Sequence, residues 1–73
     1  MATRRKTLPY AAAALIRSSI ALNNDAIRTL RLVIDRPMTS EERYRLLARA
    51  MDALHQSAAT LKELQQLQPE QEV

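Results

Sequence analysis

Ile20-Ala21-Leu22-Asn23-Asn24-Asp25-Ala26-Ile27-Arg28-Thr29-Leu30-Arg31-Leu32-Val33-Ile34-Asp35-Arg36-Pro37 is the stretch that decides how this chain folds. Isoleucine recurs at 20, 27 and 34, every seventh residue, which keeps one side of an α-helix apolar along its length. With these three as heptad a positions, Ile16, Asn23 and Leu30 fall at d, Ala12, Ser19, Ala26 and Val33 at g, and Leu15 and Leu22 at c. Positions c, g, d and a adjoin one another on a helical wheel, so the apolar arc is about 160° wide at about 100° per residue. Pro37 sets the end, because a residue before proline is pushed out of the α region and the helix must stop near Asp35. Asn23-Asn24-Asp25 tests the assignment: Asn and Asp are poor inside helices and good at N-caps. The unbroken heptad across that site predicts one helix from about Pro9 to Asp35; a break at Asn23-Asn24 would give three helices instead.

A second helix follows at once. Thr39-Ser40-Glu41-Glu42 has the spacing of a capping box, with the Thr39 hydroxyl accepting from the Glu42 N–H and the Glu42 side chain reaching back. Glu41 and Glu42 also suit the positive end of the helix dipole. Tyr44, Met51 and Ala58 then occupy a, and Leu47, Leu54 and Leu61 occupy d. Ala50, Ser57 and Leu64 take g, while Leu46, Ala53, Thr60 and Leu67 take c. The two helices are of similar length and the connection is short, so an all-α antiparallel hairpin, a small bundle, is expected. The isoleucine stripe is expected to face the leucine stripe across the seam. The c and g flanks would then want a cover, from a second copy in a homodimer of four helices or from a partner protein. In a homodimer, Asn23 in an isoleucine-rich seam would fix register against its twin.

Composition narrows the field. Seventy-three residues make one domain at a size where a single core barely outweighs chain entropy. The expected division is a flexible basic arm over 1–8, one helical domain over 9–68 and a frayed tail over 69–73. Cysteine is absent, so neither a disulfide nor a thiolate metal site is available. Glycine is absent too, which argues against phosphate-cradling loops and tight β-hairpins. No apolar run approaches the roughly 18 residues of a membrane span, and Arg17 interrupts the Ala11–Ile16 run that could otherwise suggest a signal peptide. No membrane association and a cytoplasmic location are expected.

Little is left for chemistry. The lone His55 has no cysteine or suitably spaced carboxylate to make a metal site, and Glu41 and Glu42 are accounted for by capping. Asp25 with Arg28 and Arg31 with Asp35 have the spacing of solvated helix pairs. No catalytic residue, cofactor or metal is expected, and the chain reads as a non-enzyme.

Charge is uneven. Residues 1–36 carry seven Lys/Arg and two acids, a net +5, while residues 37–73 carry four Lys/Arg and six acids, a net −2. Arg4, Arg5 and Lys6, followed by the apolar Leu8 and Tyr10, make a basic arm that can be steered to an acidic surface and locked there by burial. These five are the candidate partner-binding residues. Nucleic acid is a weakly signalled partner, since three charges without an aromatic platform are few, and Glu41 and Glu42 would repel phosphate at a recognition helix.

The hairpin resembles in architecture the plasmid-encoded RNA-binding repressor of primer, a dimeric four-helix bundle, although no residue motif transfers. Taken whole, a basic, cysteine-free, all-helical chain opening Ala2-Thr3-Arg4-Arg5-Lys6-Thr7-Leu8-Pro9-Tyr10 resembles the small transcription regulators encoded by lytic phages of Xanthomonas. That resemblance implies binding to host RNA polymerase at the N-terminal part of the β′ subunit, inhibition of σ-dependent initiation and antitermination, all in the host cytoplasm. Two other classes compete with it, a dimeric nucleic-acid-binding bundle and a helical co-chaperone or scaffold.

Overall fold

A computed structural model describes residues 8–67 as two helices, α1 (Tyr10–Asp35) and α2 (Ser40–Leu67). The helix α1 runs unbroken through Asn23-Asn24-Asp25, so the chain is a helical hairpin and the three-helix alternative is excluded. Asn23 therefore caps nothing.

Both helix boundaries at the turn have local causes. Arg36 leaves the helix at φ −117°, ψ 139°, the extended geometry that a following proline imposes, while its N–H still donates to the Leu32 carbonyl at 3.0 Å. The capping box forms in both directions: the Glu42 N–H donates to Thr39 Oγ1, and the Thr39 N–H donates to Glu42 Oε1, each at 3.0 Å. No described residue takes a positive φ, so the turn works without glycine. The outer end of α1 is plainer. Pro9 stands as its N-cap in extended geometry and supplies no side-chain hydrogen bond.

Contacts between the helices give their direction. Ser19 meets Ser57 and Asp25 meets Arg49, so as one residue number rises the other falls and the pair is antiparallel. The seam itself departs from expectation. Ala12, Ser19, Ala26 and Thr29 of α1, and Ala50, Ala53 and Ser57 of α2, are the buried residues. All seven lie at c and g. The isoleucines expected at the interface are instead exposed, Ile20 at 52%, Ile27 at 47% and Ile34 at 80%, and Leu47, Leu54 and Leu61 lie at 38–45%.

Size explains the exchange. Small side chains let two helix axes approach closely, and axis separation follows the residues at the contact. The Ser19 and Ser57 hydroxyls are 2.5 Å apart, and Ser57 Oγ also lies 3.5 Å from the Ser19 carbonyl oxygen, so one helix nearly touches the other's backbone. Ala26, Ala50 and Ala53 form the buried cluster at mid-height. Leu15, Leu22, Val33, Leu46 and Leu64 complete the same stripes, half-buried. No large side chain among the described residues is fully buried. A fully buried Leu or Ile stabilises a fold by about 1.5–3 kcal/mol, so an alanine seam forgoes most of what these positions could contribute.

Two predictions follow from this seam. Ala50→Leu should lower the unfolding free energy by about 1–3 kcal/mol or more by prising the helices apart, whereas Ala59→Leu on the exposed outer edge of α2 should stay within about 0.5 kcal/mol; denaturant titration followed by circular dichroism reads both. Ser19→Ala and Ser57→Ala should each cost about 1 kcal/mol, and the double variant should fall short of their sum by at least about 0.5 kcal/mol. Strict additivity would mean that the two hydroxyls act independently.

Candidate functional site

The large residues excluded from the seam converge on one side of the molecule. On each helix the a/d stripe lies about 100° round from the c/g stripe in the same rotational sense. Setting the helices antiparallel reverses that sense for one of them when both are viewed from the same end. Both large stripes therefore emerge on the same broad side of the hairpin. Asp25 and Arg49 test this, since each sits on the side opposite its own large stripe. They meet across the seam at 3.5 Å, which places both reverse sides together.

The resulting face runs from Ile16 to Ile34 on α1 and from Tyr44 to Leu61 on α2. Tyr44 and Met51 are 74% and 58% exposed. A shallow groove of about 420 Å³ runs along α2, lined by Tyr44, Leu47, Ala48 and Met51, with Asp52 and His55 at its polar rim. Half-buried Asn23 is the one polar side chain among the a and d positions of the α1 stripe, and no hydrogen bond joins its amide to another described residue. Monomeric proteins seldom leave a continuous apolar patch of this extent uncovered.

A second surface lies on the outer edge of α1, turned away from α2. Tyr10, Arg17, Arg28 and Arg31 share this edge by their helical spacing. The expected pairs Asp25–Arg28 and Arg31–Asp35 do not form: Asp25 is drawn across the seam to Arg49. Among the described residues no ion pair engages Arg17, Arg28 or Arg31. Of the three arginines of α2, Arg45 is held by Glu41 at 3.1 Å and Arg49 by Asp25 at 3.5 Å, while Arg43 makes no ion pair among the described residues. Asp35 offsets part of the charge at the far end of the edge, yet the edge remains net basic.

Of the five residues expected to contact a partner, Arg4, Arg5 and Lys6 lie outside the described residues. Leu8 and Tyr10 are both exposed, Tyr10 at 82%, and stand at the head of the basic edge. Arg17, Arg28 and Arg31 were not singled out by sequence, because helical pairing with Asp25 and Asp35 accounted for two of them. His55 sits at the groove rim and touches no group that would make it a base or ligand, and no set of three or more His, Cys, Asp or Glu among the described residues is arranged to hold a metal ion. No described helix is long and apolar enough to cross a membrane.

Neither a protein-family model, nor a curated protein, nor a solved structure matches this chain.

Proposed function

We propose that this protein is a non-enzymatic regulator that acts by binding the surface of a larger protein, and that its target is bacterial RNA polymerase at the N-terminal region of β′. The observation that carries a binding role is the α1 edge: an exposed tyrosine heads three arginines that form no ion pair among the described residues, leaving the edge net basic. Charges of one sign along a rigid edge steer an acidic surface into place, and an aromatic side chain beside them supplies the burial that holds it. The choice of polymerase rests on the resemblance of the chain taken whole, whose Arg4, Arg5 and Lys6 precede this edge in sequence. On that reading the protein occupies a site needed for σ-dependent initiation and, on the elongating enzyme, favours read-through of terminators. Catalysis has no part in it.

A protein surface is favoured over nucleic acid by the rest of the charge pattern. Away from this edge, acids and bases are mixed, with Glu41, Glu42, Asp52 and Glu63 on α2 beside its basic residues, so a phosphate backbone would find only one narrow basic strip.

Binding to purified bacterial RNA polymerase, measured with and without competing duplex DNA, tests the proposal. The combined variant Arg17→Glu, Arg28→Glu, Arg31→Glu should weaken binding about ten-fold or more and flatten its dependence on salt. Arg4→Glu, Arg5→Glu, Lys6→Glu should act in the same direction. Unchanged affinity in both variants, or binding to DNA alone, would count against the polymerase reading.

A further inference from the structure

We propose that the apolar face is covered by a second copy of this chain, giving a four-helix dimer whose two-fold axis runs across the helices near Asn23. In this arrangement α1 packs antiparallel to α1 of the other copy, and α2 to α2. The inference goes beyond the polymerase reading and does not rest on it, because it concerns the face and not the basic edge.

Area is the first argument. Apart from half-buried Ile16, the large side chains of the two stripes are between 37% and 80% exposed and present on the order of 1000 Å² per copy, so covering them in a pair removes on the order of 2000 Å², at the upper end of what standard stable interfaces bury. A single added helix would cover only part of a face two helices wide; a second hairpin matches its width.

Axial symmetry is the second argument. Midway between Ile16 and Ile34 lies Asp25, and midway between Tyr44 and Leu61 lie Asp52 and Ala53. These two midpoints stand at nearly the same height, because Ala26 packs with Ala50 and Ala53 in the seam. A two-fold axis through that level therefore lays the whole face on its copy with both stripes overlapping end to end. Had the midpoints been offset, one stripe or the other would overhang.

Asn23 is the third. It lies two residues from the α1 midpoint, so near the axis it comes within about one helical turn of its twin. An amide with no hydrogen bond to another described residue then gains a partner, and a polar pair at a single layer of an apolar interface fixes register. The groove along α2 leaves room beside Tyr44, Leu47 and Met51 for side chains of the opposing α2. One feature opposes association. Arg17 of one copy comes level with Arg31 of the other on the exposed flank. Such flank repulsion is weak and screened by salt, whereas burial of the apolar face is neither.

Sedimentation equilibrium on the full chain tests the proposal. The expected mass is twice the 8.3 kDa of one chain, with association tightening as salt rises. Polymerase binding through the basic edge should weaken under the same change, so failure of one proposal is separable from failure of the other. Ile27→Lys with Leu54→Lys should give a monomer. Because that variant could also lose its fold, a second test uses the wild-type surface: the chain has no cysteine, so Asn23→Cys should oxidise readily to a disulfide-linked pair, while Ile34→Cys, far from its twin, should not. A helical monomer at every concentration would overturn the dimer. So would a dimer in which Asn23→Cys fails to cross-link, or one that survives both lysines intact.

Discussion

Close approach of two backbones through Ala and Ser side chains is the constraint on which this hairpin depends. Ser19 against Ser57, and Ala26 against Ala50 and Ala53, leave no space for a leucine between the axes. Every large side chain must then sit beside the seam or outside it. The seam consequently gives the hairpin its shape without giving it much burial, since small side chains remove little apolar area from water. Shape and stability are supplied by different residues. The residues with the burial to offer are the ones the seam turns outward.

This division explains which parts of the fold could be read from sequence. The capping box at Thr39 and Glu42, the stop at Arg36-Pro37 and the hairpin itself follow from short-range rules, and each is present. Continuity through Asn23-Asn24-Asp25 was also legible, because the heptad ran on across it. The facing of the helices was not. A period of seven is shared by all heptad positions, so it marks the apolar arc without choosing which part of a 160° arc meets the other helix. Ranking by hydrophobicity selects Ile20, Ile27 and Ile34; ranking by fit selects Ala12, Ser19 and Ala26. The usable signal was the match in size: small residues recur at seven-residue spacing on both helices, at 12, 19 and 26 and again at 50 and 57, in positions that face each other when the chain turns back. A polar pair such as Ser19–Ser57 adds to that signal, since two hydroxyls buried together satisfy one another.

Asp25 shows how tertiary packing overrides a local preference. It is a weak helix former in the middle of α1, in a triplet suited to starting a helix. In the hairpin its carboxylate meets Arg49 across the seam, a partner 24 positions away that no local rule supplies. The partly exposed pair is worth little by itself. Its consequence is larger for charge than for stability. By facing Arg49, Asp25 leaves Arg28 without the neighbour that helical spacing had assigned to it, and the outer edge of α1 stays basic. A contact chosen by packing on one side of the helix thus alters the electrostatics of another.

The same logic bears on where a function can reside. The buried seam consists of alanine, serine and threonine side chains, and most of the described charged groups stand on the surface, where water screens them. What the hairpin can offer is area and charge on a rigid frame. Its apolar face and its basic edge adjoin along α1, so a body docked on one lies beside the other. If a second copy occupies the face with α1 beside α1, the two basic edges become neighbours on one flank of the bundle. Their mutual repulsion would then be a small cost of association that an acidic partner relieves, coupling assembly of the pair to recognition of the target through a positive charge that Asp35 only partly offsets.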